Sequence, residues 1–312
     1  MPATKPNVAA LVEQMPETDK DIQAKQEEAK SAAQPDAPDK PKPRPDRWGA
    51  ASKFTGPDPD AASKIFTEIL SGGRDSLMEL LALVREPSDA DYKSYKAGYV
   101  LHGLVILAGQ GGNERQRRLL VDTLASQLGQ EGYSKAVKGY FIRELRLLGG
   151  KEAISALGAH LLDDDLCGDA TQALLTIREN VAPQFRSALK KATGRNRLPI
   201  LQALGQLRDS DSISILKKAL ADEDRDVRHT AAWALANLGD AGSIDALLKS
   251  ADSAEGWERI EATNVCLLLA ERLTTNNRKS DATRVYGHLR DTRTGSNERH
   301  IRAAAEKAMI GF

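Results

Sequence analysis

Apolar positions recur along the chain with a helical spacing that is itself repeated. In LCGDATQALLTI (166–177), RLPILQALGQL (197–207), DVRHTAAWALANL (226–238) and ERIEATNVCLLL (258–269), apolar residues stand at i, i+4 and i+7. They are Ala170, Leu174 and Ile177; Ile200, Leu204 and Leu207; Ala231, Leu235 and Leu238; and Ala262, Cys266 and Leu269. Successive copies are offset by 30, 31 and 31 residues. The triplet extends upstream as Phe141, Leu145 and Leu148, more loosely as Ala97, Leu101 and Leu104, and downstream as Ala305, Met309 and Phe312. Each copy reads as the buried stripe of an amphipathic helix. A second helical stretch precedes most copies: KEAISALGAHL, VAPQFRSALKKA, SISILKKAL, GSIDALLKSA and SDATRVYGHL. Joints such as LLDDDL, ADEDRD and LGDAGS supply the caps and stops that separate the two helices. One helix pair cannot cover its own apolar face, so neighbouring pairs must stack into a continuous core.

The block ALADEDRDVRHTAAWALANLGDAGSIDALLKSA resembles the HEAT-repeat pattern: an acidic turn, a Val-Arg pair, an Ala-rich second helix, then Leu-Gly-Asp and the next first helix. The likeness is strong over 146–270 and recognisable from about 61 to 312. With LVEQMP, YVLHGL, LGGKEAI and DDLCGDATQALL, the chain is also similar to uncharacterised bacterial HEAT-repeat proteins. The resemblance implies an all-α, right-handed α-solenoid of about six or seven helix pairs that binds other macromolecules along an extended surface. It also implies a structural ladder. Asp222, Asp224 and Asp226 crowd a helix start, where the dipole and unpaired N–H groups favour negative charge. Arg228, aligned with Arg259 and Arg302, is then expected to reach acidic turn residues and fix the stacking of pairs.

Successive helix residues turn by about 100°, so position i+2 points nearly away from i. Adding two to the first stripe residue of each copy gives Tyr99, Arg143, Gln172, Gln202, Trp233, Asn264 and Lys307. In an α-solenoid the second helices line the inner curve, so the row centred on Arg143, Gln172, Gln202, Trp233 and Asn264 is the expected concave contact surface. A tryptophan in it marks either a binding anchor or packing against the neighbouring repeat. Trp257, in SAEGWERI, is expected to staple its joint, and Trp48 to act as a tether.

Proline places a boundary near residue 60: ten of the 13 prolines fall in 1–59. Residues 31–60 mix Pro with charge and read as an extended spacer, its PKPRP run a candidate polyproline ligand. Residues 1–60 are therefore expected to be a flexible arm, with candidate short helices near 6–15 and 19–30, and Val8, Leu11, Val12 and Met15 a candidate docking set. The array is expected over 61–312.

Of the 312 residues, 41% are hydrophobic and only 4% aromatic, which fits close-packed Ala/Leu helices. Lys plus Arg (44) cancels Asp plus Glu (44), and the basic groups QRR (116–118), KKATGRNR (190–197) and Arg143 with Arg146 fall on different faces, which argues against nucleic acid. No run approaches the roughly 20 apolar residues of a membrane span, and the start lacks a signal pattern; a cytoplasmic chain without membrane insertion is expected. Cys167 and Cys266 sit in Ala/Leu-rich helices as small buried hydrophobes. None of the five histidines is followed by Glu, and there is no His-Glu-x-x-His or Cys-x-x-Cys. No metal, cofactor or catalytic constellation is expected. The sequence thus points to a non-catalytic scaffold for a protein partner. A lyase or cofactor-attaching chaperone of the phycobilin-lyase-like repeat type stands as the alternative, and a nucleic-acid-binding HEAT-like protein behind it.

Overall fold

The computed structural model describes residues 5–15, 58–86 and 95–311. The region 19–30, the PKPRP run, Trp48 and Phe312 lie outside them. Among the described residues every regular element is helical. The chain divides into two compact units, Met1–Ala153 and Ile154–Phe312.

In the first unit, α1 (Val8–Glu13) precedes α2 (Pro59–Ser71), α3 (Gly73–Leu83), α4 (Tyr95–Gly109), α5 (Glu114–Leu128) and α6 (Lys135–Leu148). Asp58 starts α2 by accepting hydrogen bonds from the Asp60 and Ala61 amides at 2.8 and 3.3 Å, and Pro59 sits at the first helical position, where no N–H is needed. The helices α3 and α4 pair, as do α5 and α6, and α4 lies beside α6. The predicted triplet of α6, Phe141, Leu145 and Leu148, is buried, as is Ala97, Leu101 and Leu104 of α4. Val8, Leu11, Val12 and Met15 are buried too, and α1 packs on α2, α3 and α4. Burying four such side chains is worth roughly 6–12 kcal/mol before ordering entropy is subtracted, and the buried Lys96 ammonium donates to the Glu13 carbonyl at the end of α1 at 3.2 Å.

In the second unit the pairs are α7 (Ile154–Gly158) with α8 (Cys167–Ile177), α9 (Ala182–Leu189) with α10 (Arg197–Leu207), α11 (Ile213–Ala219) with α12 (Arg225–Leu238), α13 (Ile244–Ser253) with α14 (Gly256–Thr275), and α15 (Lys279–Thr292) with α16 (Arg299–Ile310). The second helices α8, α10, α12 and α14 lie side by side in that order. Of their stripes, Ala170, Leu174, Ile200, Leu204, Ala231, Leu235, Cys266 and Leu269 are buried, and Ile177, Leu207, Leu238 and Ala262 are half-buried. The helices α10 and α12 approach closely at Gly205. A Cβ added at Gly205 would lie 2.7 Å from the Trp233 ring and 2.8 Å from the Ala234 Cα. A chain of hydrogen bonds crosses the same helices: Arg272 of α14 donates to the Asn237 side chain at 3.0 Å, and Asn237 of α12 donates to the Gly205 carbonyl of α10 at 2.9 Å.

Candidate functional site

Equivalent positions on four adjacent helices form a continuous face in the second unit. Gln172, Gln202 and Asn264 are exposed on α8, α10 and α14, and Trp233 is half-buried between its neighbours on α12. Arg143, the equivalent residue of the first unit, is exposed on α6. Residues three or four apart share a helix face, so the positions one turn before and after extend the row into a band. Before it come Gly168, Leu198, His229 and Ile260; after it come Thr176, Gln206, Asn237 and Leu268. Among these twelve positions only His229 can titrate. Asp169 and Glu261, three positions before Gln172 and Asn264, share the same face, so the strip also carries two carboxylates. A further turn out stand Asp165, Arg195 and Asp226 on one side and Asp209, Asp240 and Glu271 on the other.

The strip is most apolar between α12 and α14. The edge of the Trp233 indole occupies the space left by Gly205, and Trp233 packs against the buried clusters on both sides. Across from it, Trp257 is 67% exposed and Ile260 51%. Trp257 therefore does not staple its joint: α14 begins at Gly256, whose φ of +53° suits glycine, and the indole stands in solvent. With Trp233, Leu268, His229 and Glu261, these side chains line a groove of about 400 Å³. Ile260 and Asn264 form the ridge between it and a second groove of about 490 Å³, which Thr263, Asn297 and Ile301 also line. The row itself was readable from the repeat spacing; Ile260, one turn before Asn264, was readable from the same spacing and was missed.

Of the expected arginine ladder, Arg259 reaches a carboxylate, while Arg228 and Arg302 turn to backbone carbonyls. Arg228 donates to the Asp222 and Glu223 carbonyls of its own turn at 2.7 and 2.8 Å, and Arg302 to the carbonyls of Arg293 and Gly295. The bridges to the following repeat come from Arg197, 2.6 Å from the Asp222 carboxylate, and from Arg259, 2.7 Å from Glu298. Arg197 stands 31 residues before Arg228, a signal that the sequence reading passed over. Ser253 stands 25 residues after Arg228, where Asp222 follows Arg197 at the same interval, so the Arg228 guanidinium turns back to backbone carbonyls. Asp224 caps α12 by accepting from the Asp226 amide at 2.9 Å, and Asp222 accepts from the Asp224 amide at 3.0 Å. Asp226 pairs with Arg225 at 3.3 Å.

The basic segments are likewise engaged. Arg117 pairs with Glu114 at 2.7 Å and Arg118 with Glu152 at 3.6 Å. Arg195 donates to the Asp164 carbonyl at 2.8 Å, across the joint to the preceding repeat. The histidines are spread out: His102 meets the buried Glu144 at 3.1 Å, His229 lies 3.9 Å from Glu261, and His288 lies 2.8 Å from Asp252. Asp252 also receives the fully buried Arg293 at 2.8 Å, a pairing that nothing in the repeat pattern announced. Both cysteines are buried and free, and burial pushes the Cys266 thiol up to about 12.

Residues 182–267 match the family model described as HEAT repeats. No curated protein matches the chain in sequence. Among solved structures, the chain is similar to the complex of CpcE and CpcF of phycocyanin lyase from Nostoc sp. PCC7120, at 20% identity, covering 74% of this chain and 92% of that one, with a TM-score of 0.38. A structure reported for the phosphorylation switch that controls the interaction between cadherin and beta-catenin is 14% identical, covering 81% of this chain and 61% of that one, with a TM-score of 0.34. An engineered protein is 19% identical over 74% of this chain and 95% of its own, with a TM-score of 0.28.

Proposed function

We propose that this chain, built from HEAT repeats, is a non-catalytic scaffold that holds a protein partner against its second helices. The observation that carries the reading is the pair Trp257 and Ile260, both more than half exposed beside the half-buried Trp233. Large apolar side chains standing in water at the edge of a groove are the anchors from which interfaces draw most of their affinity. Gln172, Gln202 and Asn264 extend the contact along the same face, and Arg143 offers the equivalent position in the first unit. Arg197 and Arg259 serve to fix the stacking beneath it. Nucleic acid is disfavoured because Arg117, Arg118, Arg195 and Arg197 each meet a carboxylate or a carbonyl and the chain's basic and acidic residues balance. Among the described residues no helix is long and apolar enough to cross a membrane.

The test is affinity purification from the source organism with the wild-type chain and with Trp257→Arg/Ile260→Arg, each checked for helical content. Both substitutions fall on exposed positions, so the fold is expected to survive while wild-type partners are lost. Recovery of the same partners in the same yield by both chains would refute the reading.

A further inference from the structure

One rung of the arginine ladder lacks its carboxylate, and a cavity stands in its place. We infer that this cavity, lined by α12, α13 and α14, binds a ligand that carries a single carboxylate on an apolar body, and that the ligand's carboxylate completes the rung on Arg228. The inference does not depend on the scaffold reading.

The comparison of rungs carries the argument. Arg197 meets Asp222 at 2.6 Å, and Arg259 meets Glu298 at 2.7 Å. At the rung between them, Ser253 stands where the spacing of Arg197 and Asp222 calls for a carboxylate, and its hydroxyl donates to the Ser250 carbonyl of its own helix at 3.2 Å. The adjacent Asp252 does not substitute, because it is taken by Arg293 and by His288, each at 2.8 Å. Arg228 and Ser253 both line a cavity of about 420 Å³, a size within the range of small-molecule sites. Arg228 gives only its Nη1 to backbone carbonyls. Its Nε and Nη2, the parallel pair that grips a carboxylate at two points, meet no acceptor among the described residues.

Charge sets the valence of the ligand. Six titratable side chains line the cavity: Arg225, Arg228, His229, Lys249, Glu258 and Glu261. Arg225 is engaged by Asp226 at 3.3 Å and Glu258 at 3.5 Å, and Glu261 faces His229 at 3.9 Å. Arg228 and Lys249 are left as the cations that no carboxylate of the cavity meets, and Lys249 precedes Ser253 by one helical turn, on the same face. One carboxylate placed between them is compensated, whereas the second charge of a phosphate would be set against Glu258 and Glu261. Leu220 and the buried Leu247 and Val265 supply apolar wall, which suits a hydrocarbon body behind the carboxylate.

Such a carboxylate arrives either on a free organic acid or on an acidic side chain of a bound peptide, and the probes separate the two. Hexanoate and a blocked Leu-Glu-Leu tripeptide are titrated against the full-length chain beside their uncharged counterparts, hexanamide and Leu-Gln-Leu, with ligand-observed NMR as the readout. A carboxylate probe is expected to bind about tenfold more tightly than its amide, and the probe that does so identifies the source. Arg228→Gln should weaken it about tenfold or more, the worth of one charge-assisted hydrogen bond. Because that substitution also removes two backbone contacts, Ser253→Asp provides an independent arm. At this exposed position it places the carboxylate within the chain, so it should abolish probe binding and raise Tm by about 1–4 °C. Ser187→Asp, exposed on α9, adds the same charge away from the cavity and should leave binding unchanged. Absence of binding by both carboxylate probes, equal binding of acid and amide, displacement of the probe by equimolar phosphate, or wild-type affinity in Ser253→Asp would overturn the inference.

Discussion

Arg293 is fully buried, yet nothing in its sequence neighbourhood, RDTRTGS, sets it apart. Its Nε donates to Thr263 at 3.0 Å and its Nη1 to Asp252 at 2.8 Å, so one guanidinium joins the end of α15 to α13 and α14. Removing the carboxylate strands the buried charge; replacing the arginine by an apolar side chain removes the charge itself. Asp252→Ala is therefore expected to cost about 2–3 kcal/mol, less than a fully buried pair would because Asp252 is 38% exposed. Arg293→Met should cost less, and urea denaturation of the two variants measures the order. Glu298 and Asp252 are among the carboxyls that carry an acid dependence. The hydrogen bond from Arg259 holds Glu298 below its ordinary value. At Asp252 burial pushes upward, but the hydrogen bonds from Arg293 and His288 outweigh it and the net displacement is downward. In both cases the native pKa lies below the unfolded one, so the native state binds fewer protons between the two. The stabilisation is then complete above about pH 4.5 and is lost as pH falls through the native values. Glu298→Gln should flatten the decline in urea midpoint between about pH 5 and 3.

At the scale of elements, the repeat made the helix pairs and their buried stripes legible, because an i, i+4, i+7 spacing that recurs at 30 or 31 residues has one physical reading. The helix joints were less legible. A joint's geometry depends on which partner lies across it, and the same aligned arginine meets a carboxylate at position 197 and only backbone carbonyls at position 228. The row of the candidate site was readable from spacing, whereas the exposure of Trp257 depended on where α14 begins, a matter of one residue at Gly256. Gly205 shows what a sequence pattern conceals, since a helix-interior glycine ordinarily counts against a helix by about 1 kcal/mol. Here it lets α12 approach. Gly205→Ala should improve local helix propensity and still destabilise the chain by about 1–3 kcal/mol, because the Ala234 backbone must move. In the first unit, Leu11→Ala should cost about 2–4 kcal/mol if α1 is held by the apolar set that it buries, and chemical denaturation of the full chain checks it.

Within the second unit the helix pairs make their main contacts with neighbouring pairs, so stability there is a sum of local terms. The strain introduced by Gly205→Ala is expected to raise amide exchange in α8, α10 and α12 while α15 and α16 keep their protection, and exchange by mass spectrometry resolves these helices separately. A uniform loss would show a single cooperative body instead. The same locality bears on how the groove can be watched. Trp233 is half sheltered and Trp257 stands 67% in solvent on opposite walls of one groove. The chain has only three tryptophans. An occupant that covers Trp257 would shift its emission to the blue and shield it from acrylamide, so the groove carries its own optical reporter and needs no label.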